Sequence, residues 1–168
     1  MVIGGLNGAI ASFVGQNYGA KKYKRIIEGY NSSLKVGILY SFVAAVLFVS
    51  IPNILVEIFV RDKITVLIAS DYLKIIALSQ IFSAVEMISN GLFTGVGKPK
   101  IPATISIIFT VLRIPMALIL VKIMGVNGIW LSIALSSIFK GIAAYILYQF
   151  SIRRKYAYEQ TTIEANHE

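Results

Sequence analysis

The chain has no cysteine and a single histidine, His167, among its 168 residues. Without cysteine there is no disulfide, no thiolate nucleophile and no Cys-built metal site. One histidine near the C-terminus excludes a His-based metal or catalytic centre. Charge is also scarce: Asp, Glu, Lys and Arg make up 14% of the residues, against about a quarter in soluble domains. Nothing of the form Gly-x-x-x-x-Gly-Lys-Ser/Thr occurs, so no nucleotide-phosphate cradle is encoded. The formal net charge is +8, but the basic residues cluster at the ends of apolar runs and form no stripe or patch of the kind that binds nucleic acid. No enzyme, no resident cofactor, no metal and no nucleic-acid partner is expected.

What the chain does have is long apolar runs. Lys35 to Glu57 encloses 21 uncharged residues; Lys74 to Lys98 encloses 23 with only Glu86 charged; Lys100 to Lys122 encloses 21 with only Arg113; and Lys122 to Arg153 encloses 30 with only Lys140. As helices rising about 1.5 Å per residue, all four reach or exceed the roughly 30 Å of a bilayer core. Four such runs in so short a chain leave too little polar surface to cover a soluble core. The first 20 residues are uncharged as well, but Gly-rich and polar at their end. Met1 to Ser12 lacks the basic stretch that opens a secretory leader and is read as the start of a helix.

The expected fold is all-α, a polytopic membrane helix bundle with about five spans at residues 1–15, 34–56, 72–97, 101–122 and 126–151, making one unit over 1–151 with a polar tail at 152–168. Tyr18 to Tyr30, with Lys21, Lys22, Lys24 and Arg25 around Ile26 and Ile27, is expected as a short amphipathic surface helix. Residues 57–71 are expected to lie along the opposite interface. Gly97 to Pro102 and Gly125 to Gly128 read as turns. Nine Lys and Arg fall in the first loop, the third loop and the start of the tail, against three in the other two loops. The positive-inside bias then puts the C-terminus in the cytoplasm. The odd helix count and a thin first helix suggest the C-terminal portion of a larger protein.

Three ionisable side chains sit mid-span: Glu86, Arg113 and Lys140. A central charge costs about 2.5–3.5 kcal/mol on insertion scales, so such residues face a bundle interior or a wet cavity. Two readings of Glu86 stand open. It binds a cation or cationic substrate, with Arg113 and Lys140 balancing charge, or it pairs with one of them to fix helix packing. Ser79, Ser83, Glu86 and Asn90 share a helical face, with Gln80 beside them, and make a polar stripe that fits a cavity lining. Tyr40, Phe42, Phe82 and Phe109 are candidate contacts for a flat cation, or packing residues. The pairs Gly4/Gly8, Gly15/Gly19 and Gly91/Gly95 have the small-xxx-small spacing of close helix packing, and Pro115 interrupts the fourth helix.

Val14-Gly15-Gln16-Asn17-Tyr18-Gly19-Ala20 closes one helix ahead of a basic loop; Gly91-Leu-Phe-Thr-Gly95-Val-Gly97 leads through Lys98 to Pro102; Arg113-Ile-Pro115 and Gly125-Val-Asn-Gly128-Ile-Trp130 follow. In that order these segments resemble the multidrug and toxic compound extrusion (MATE) transporters over nearly the whole chain. The resemblance implies twelve helices in two lobes, of which these five are similar to helices eight to twelve. The first lobe and the first helix of the second would then be partners outside this sequence. It also implies antiport of organic, cationic compounds against Na+ or H+ across a bacterial plasma membrane, with membrane lipid as surroundings. The acidic position of some members falls on Ser83, with Glu86 one turn nearer the cytoplasm. Alternative readings are a lipid-linked saccharide flippase of the same superfamily and an inactive truncated remnant.

Overall fold

The computed structural model describes residues 2–156, with the side chains of residues 2 and 3 left aside. Among the described residues there are only helices: α1 Val2–Gly19, α2 Tyr23–Ser50, α3 Pro52–Glu57, α4 Lys63–Ala77, α5 Gln80–Gly95, α6 Lys100–Met124 and α7 Val126–Tyr148, the last continuing through one wide turn at Gln149–Arg153.

The surface helix expected at Tyr18–Tyr30 is not a separate element. α1 ends in a left-handed residue, Lys21 (φ 56°). The Lys21 N–H bonds to the Tyr18 carbonyl at 3.0 Å and the Lys22 N–H to the Asn17 carbonyl at 2.9 Å, the paired closure of a Schellman turn. α2 starts at once and runs for 28 residues. Its buried face, Ile26, Tyr30, Leu34, Gly37 and Ser41, keeps helical spacing straight across the expected boundary, so nothing interrupts it. The helix stops earlier than expected instead. Ile51 leaves helical geometry (φ −134°, ψ 45°) ahead of Pro52, because a residue before proline is crowded out of the α region.

Residues 57–71, expected along the opposite interface, are not a single connecting segment. Asp62 caps α4, accepting from the Thr65 N–H at 2.9 Å, and helix begins inside the stretch assigned to the interface. The helix expected at 72–97 is in fact two, α4 and α5, bent by 59°. At the bend the Ser79 N–H and hydroxyl both donate to the Ile76 carbonyl at 2.9 Å, tightening the ladder to a 3₁₀-like turn. Past α5, Gly97 (φ 74°) closes a second Schellman turn, with Lys98 N–H to Phe93 carbonyl at 2.8 Å. Lys100–Met124 runs helical through Pro115.

α5 is the hub. It packs on α1, α2 and α7, and only lightly on α6, which lies mainly along α7. Gly91 and Gly95 allow α1 to approach. A Cβ at Gly95 would lie 2.6 Å from the Ala11 carbonyl oxygen and 2.7 Å from Val14 Cβ, and one at Gly91 2.5 Å from the Asn7 carbonyl oxygen. A Cβ at Gly15 would lie 3.6 Å from the Gly95 carbonyl oxygen, an ordinary contact, whereas one at Gly4, Gly8 or Gly19 would meet nothing within 4 Å. The expected close packing therefore holds at Gly91/Gly95 and not at Gly4/Gly8.

The buried cluster Val14, Ile26, Tyr30, Leu92, Phe93, Val96, Tyr148 and Ile152 marks one end of the bundle. There Tyr23 stacks on Tyr156 at 4.8 Å, with Tyr18 beside both. Tyr156 is buried, so residues 152–156, expected as the start of the tail, are packed on the bundle; residues 157–168, with His167, lie outside the described residues. The same end gathers the basic residues of three segments, Lys21 to Arg25, Lys98 with Lys100, and Arg153 to Lys155. Tyr72 and Trp130 meet edge-on at 5.5 Å where α4 passes the start of α7.

Candidate functional site: a polar ladder among α5, α6 and α7

Helix α6 presents Ser106, Thr110 and Arg113 at one-turn spacings along its largely apolar middle, and α7 presents Ser136 and Lys140. These side chains meet along the α6–α7 seam. Ser136 donates to the Phe109 carbonyl at 2.9 Å and accepts from Arg113 Nη2 at 3.4 Å. Lys140 Nζ donates to Thr110 Oγ1 at 3.2 Å. From α5, Glu86 Oε1 accepts from the Ser106 hydroxyl at 3.4 Å. Lys140 is only 9% exposed, which makes it the one buried charge among the described residues. Gly141 next to it lets α7 lie against the Phe82 backbone of α5, and that approach sets Lys140 in the seam.

The three mid-span charges thus share one region. Glu86 is the acid among them, Arg113 and Lys140 the cations. They do not touch it: among the described residues the one ion pair is Lys74–Asp71 at 3.4 Å, on the surface. Of the two readings of Glu86, direct pairing with Arg113 or Lys140 is not found here; hydroxyls meet the charged groups instead, each taking one. Sequence reading missed Ser106, Thr110 and Ser136. Their signal was there, in hydroxyls spaced one turn from each other or from a charge on apolar helices.

Of the polar stripe, Ser83, Glu86 and Asn90 lie half-buried on α5, with Gln80 half-buried at its start. Ser79 is buried and belongs to the bend. The aromatic candidates divide. Tyr40 and Phe42 are exposed on α2. Phe109 stacks on Phe139 with ring centroids 6.2 Å apart. Phe82 lines a cavity of about 350 Å³ with Leu34, Ile38, Val85 and Tyr145, on the α2 side of α5.

Most of the remaining motif residues make contacts between helices or close turns. Gly15, Gly91 and Gly95 make the α1–α5 contact, and Gly97 its turn. Pro102 is buried in the first turn of α6. Gly128 abuts the Leu120 backbone where α6 meets α7, and Trp130 meets Tyr72. Gln16, Ala20 and Pro115 are exposed.

Three helices, Tyr23–Ser50, Lys100–Met124 and Val126–Tyr156, are long and apolar enough to cross a membrane, and α4 and α5 together have the length and hydropathy of a broken span or a re-entrant loop. α1 does not join them, since Asn7, Gln16, Asn17 and five glycines dilute its 18 residues. α6 exposes Ile107, Ile108, Val111, Leu118 and Ile119, a surface that only lipid or another apolar protein face can cover. A bundle of this kind, with an apolar outer face and polar side chains confined to the seams between its helices, is that of an integral membrane protein. The MatE family model matches residues 1–119, and the chain belongs to that family. It is similar to multidrug and toxin extrusion protein 1 of Homo sapiens, 26% identical over 169 aligned positions that cover 99% of this chain and 30% of that protein. It is also similar to the probable multidrug resistance protein NorM of Thermotoga maritima, at 27% over 81% of the chain and 30% of that protein. The probable multidrug resistance protein YpnP of Bacillus subtilis is 29% identical over 84% of the chain and 32% of that protein. The chain spans about 30% of the length of these relatives.

Proposed function

We propose that this chain is part of the second lobe of a secondary antiporter that exports organic cations in exchange for Na+ or H+ by alternating access. Ser83, Glu86 and Asn90 form its half of the wet cavity, and Glu86 is the carboxylate for which ion and substrate compete. The observation that carries the reading is that Glu86 is half-buried in a membrane helix, held only by a long bond from Ser106 and in contact with no cation. Such a carboxylate is costly to keep unless it has a ligand to exchange. The names of the relatives support efflux of drugs and toxins. The convergence of three basic segments at one bundle end supports a cytoplasmic C-terminus, in the plasma membrane of a bacterium. The first lobe and one further helix are the partners that complete the cavity.

The test is dye efflux by the two-lobed transporter that contains this segment, as wild type and as Glu86→Gln, with and without sodium. The proposal expects Glu86→Gln to lose efflux and its cation dependence together. Unchanged efflux would remove Glu86 from the mechanism.

A further inference from the structure

The α6–α7 seam holds two cations against one carboxylate. Glu86 is the only Asp or Glu between Tyr72 and Tyr156, so no other acid on these helices balances Arg113 and Lys140. The partners they do have are neutral. Of the five N–H donors of a guanidinium, Arg113 uses Nη2 alone, on Ser136 at a long 3.4 Å. Its Nε is buried and meets no acceptor among the described residues. The Lys140 ammonium has three donors and gives one to Thr110. Hydroxyl oxygens orient these groups without cancelling their charge, and a buried charge left uncompensated is strongly unfavourable. Thr110 and Arg113 on α6, like Ser136 and Lys140 on α7, stand one turn apart, about 5–6 Å between Cβ atoms. The two cationic heads are thus anchored along one stretch of the seam.

We infer that this seam is a binding site for one carboxylate group of a small organic molecule. The Nε–Nη2 edge of Arg113 offers the parallel pair of donors that a carboxylate accepts, and Lys140 adds a point charge one turn along. Glu86 is the internal anion that competes for the same two cations. The site goes beyond the cation-exchange reading above, in which Arg113 and Lys140 only balance charge.

The experiment uses the full chain in neutral detergent at pH 7 and constant ionic strength, titrated with sodium benzoate, with the uncharged benzyl alcohol, and with sodium chloride. Isothermal calorimetry gives affinity, and the ¹⁵N signal of the Arg113 Nε–H reports the site. Benzoate is expected to bind once per chain and to move the Nε signal, and the other two ligands to bind at least about tenfold more weakly. Arg113→Gln and Lys140→Met should each weaken benzoate about ten- to a hundredfold, the range for hydrogen bonds to charged groups. Arg113→Lys, which keeps the charge and loses the paired edge, should also weaken it and guards against misfolding of the Gln variant. Glu86→Gln should strengthen benzoate binding, because the competing anion is gone. Equal binding of benzyl alcohol or chloride, indifference to Arg113→Lys and Lys140→Met, or weaker binding in Glu86→Gln would each overturn the inference. If Glu86→Gln abolishes dye efflux while benzoate ignores all four substitutions, the antiport reading stands and this one falls.

Discussion

Tyr30 of α2 and Ser89 of α5 join hydroxyl to hydroxyl at 2.7 Å, and both side chains are fully buried. The Tyr30 ring also packs on Tyr148 of α7 with centroids 4.0 Å apart. One tyrosine therefore ties three helices at the basic end of the bundle, and a buried polar pair of this kind holds register as well as energy. Tyr30→Phe is expected to cost about 1–2 kcal/mol by leaving Ser89 without its cross-helix partner. The double variant Tyr30→Phe/Ser89→Ala should recover part of that loss. A double-mutant cycle read from unfolding midpoints in mixed detergent checks the coupling, and simple additivity would contradict it.

The α1–α5 contact should be sensitive to a single methyl group or two. Gly95→Val puts carbon onto the Ala11 carbonyl and Val14 and is expected to destabilise by about 1–3 kcal/mol, freeing α1 first. Gly8→Ala meets nothing within 4 Å and should stabilise the helix by roughly 0.5–1 kcal/mol. Amide hydrogen exchange across α1 separates the two outcomes.

Lys140 is retained at a cost to stability. Lys140→Met, similar in length and apolar, should stabilise the fold by about 1–3 kcal/mol and so raise the unfolding midpoint, as replacement of buried charge by apolar groups often does. The Thr110 hydroxyl can turn back to its own helix. A lower midpoint would mean that the ammonium is better satisfied than its one bond to Thr110 implies.

Asp62 gives α4 an acid-sensitive start. The Thr65 hydroxyl at 2.6 Å, and then the Thr65 N–H, hold its carboxyl below the ordinary carboxylate range. A depressed folded value means that the contribution is complete above the unfolded value of about 4 and is lost as pH falls through the lower folded one. The α4 N-terminus should therefore loosen only below about pH 4, where protonation ends the cap. Asp62→Asn keeps an acceptor and should remove this pH dependence, measured as exchange protection at Thr65 and Val66.

Much of this fold could be read from the sequence because lipid imposes a simple rule: apolar length and flanking charge. α6 falls within two residues of expectation for that reason, and α7 starts where expected. The α4–α5 bend could not be read, because no proline or glycine marks Leu78–Ser79 and the break is made by hydrogen bonds of Ser79. The continuity of α2 was obscured by its own charges. Lys24, Arg25 and Lys35 looked like the edge of a span, yet Ile26, Tyr30 and Leu34 carry one buried face past them. At the site, the charged residues were evident one by one, since each interrupts an apolar run. Their arrangement was not, because it depends on which hydroxyls of neighbouring helices each charged group meets.

The central claim is that the Ser83–Glu86–Asn90 face of α5 looks into water inside the membrane while the outer face of α6 looks into lipid. The absence of cysteine makes single-cysteine labelling clean. In membranes, Ser83→Cys, Glu86→Cys and Asn90→Cys should react with a water-soluble maleimide at least about tenfold faster than Val111→Cys and Leu118→Cys, because thiolate forms only where water reaches. Equal, slow reaction at all five positions would contradict the account.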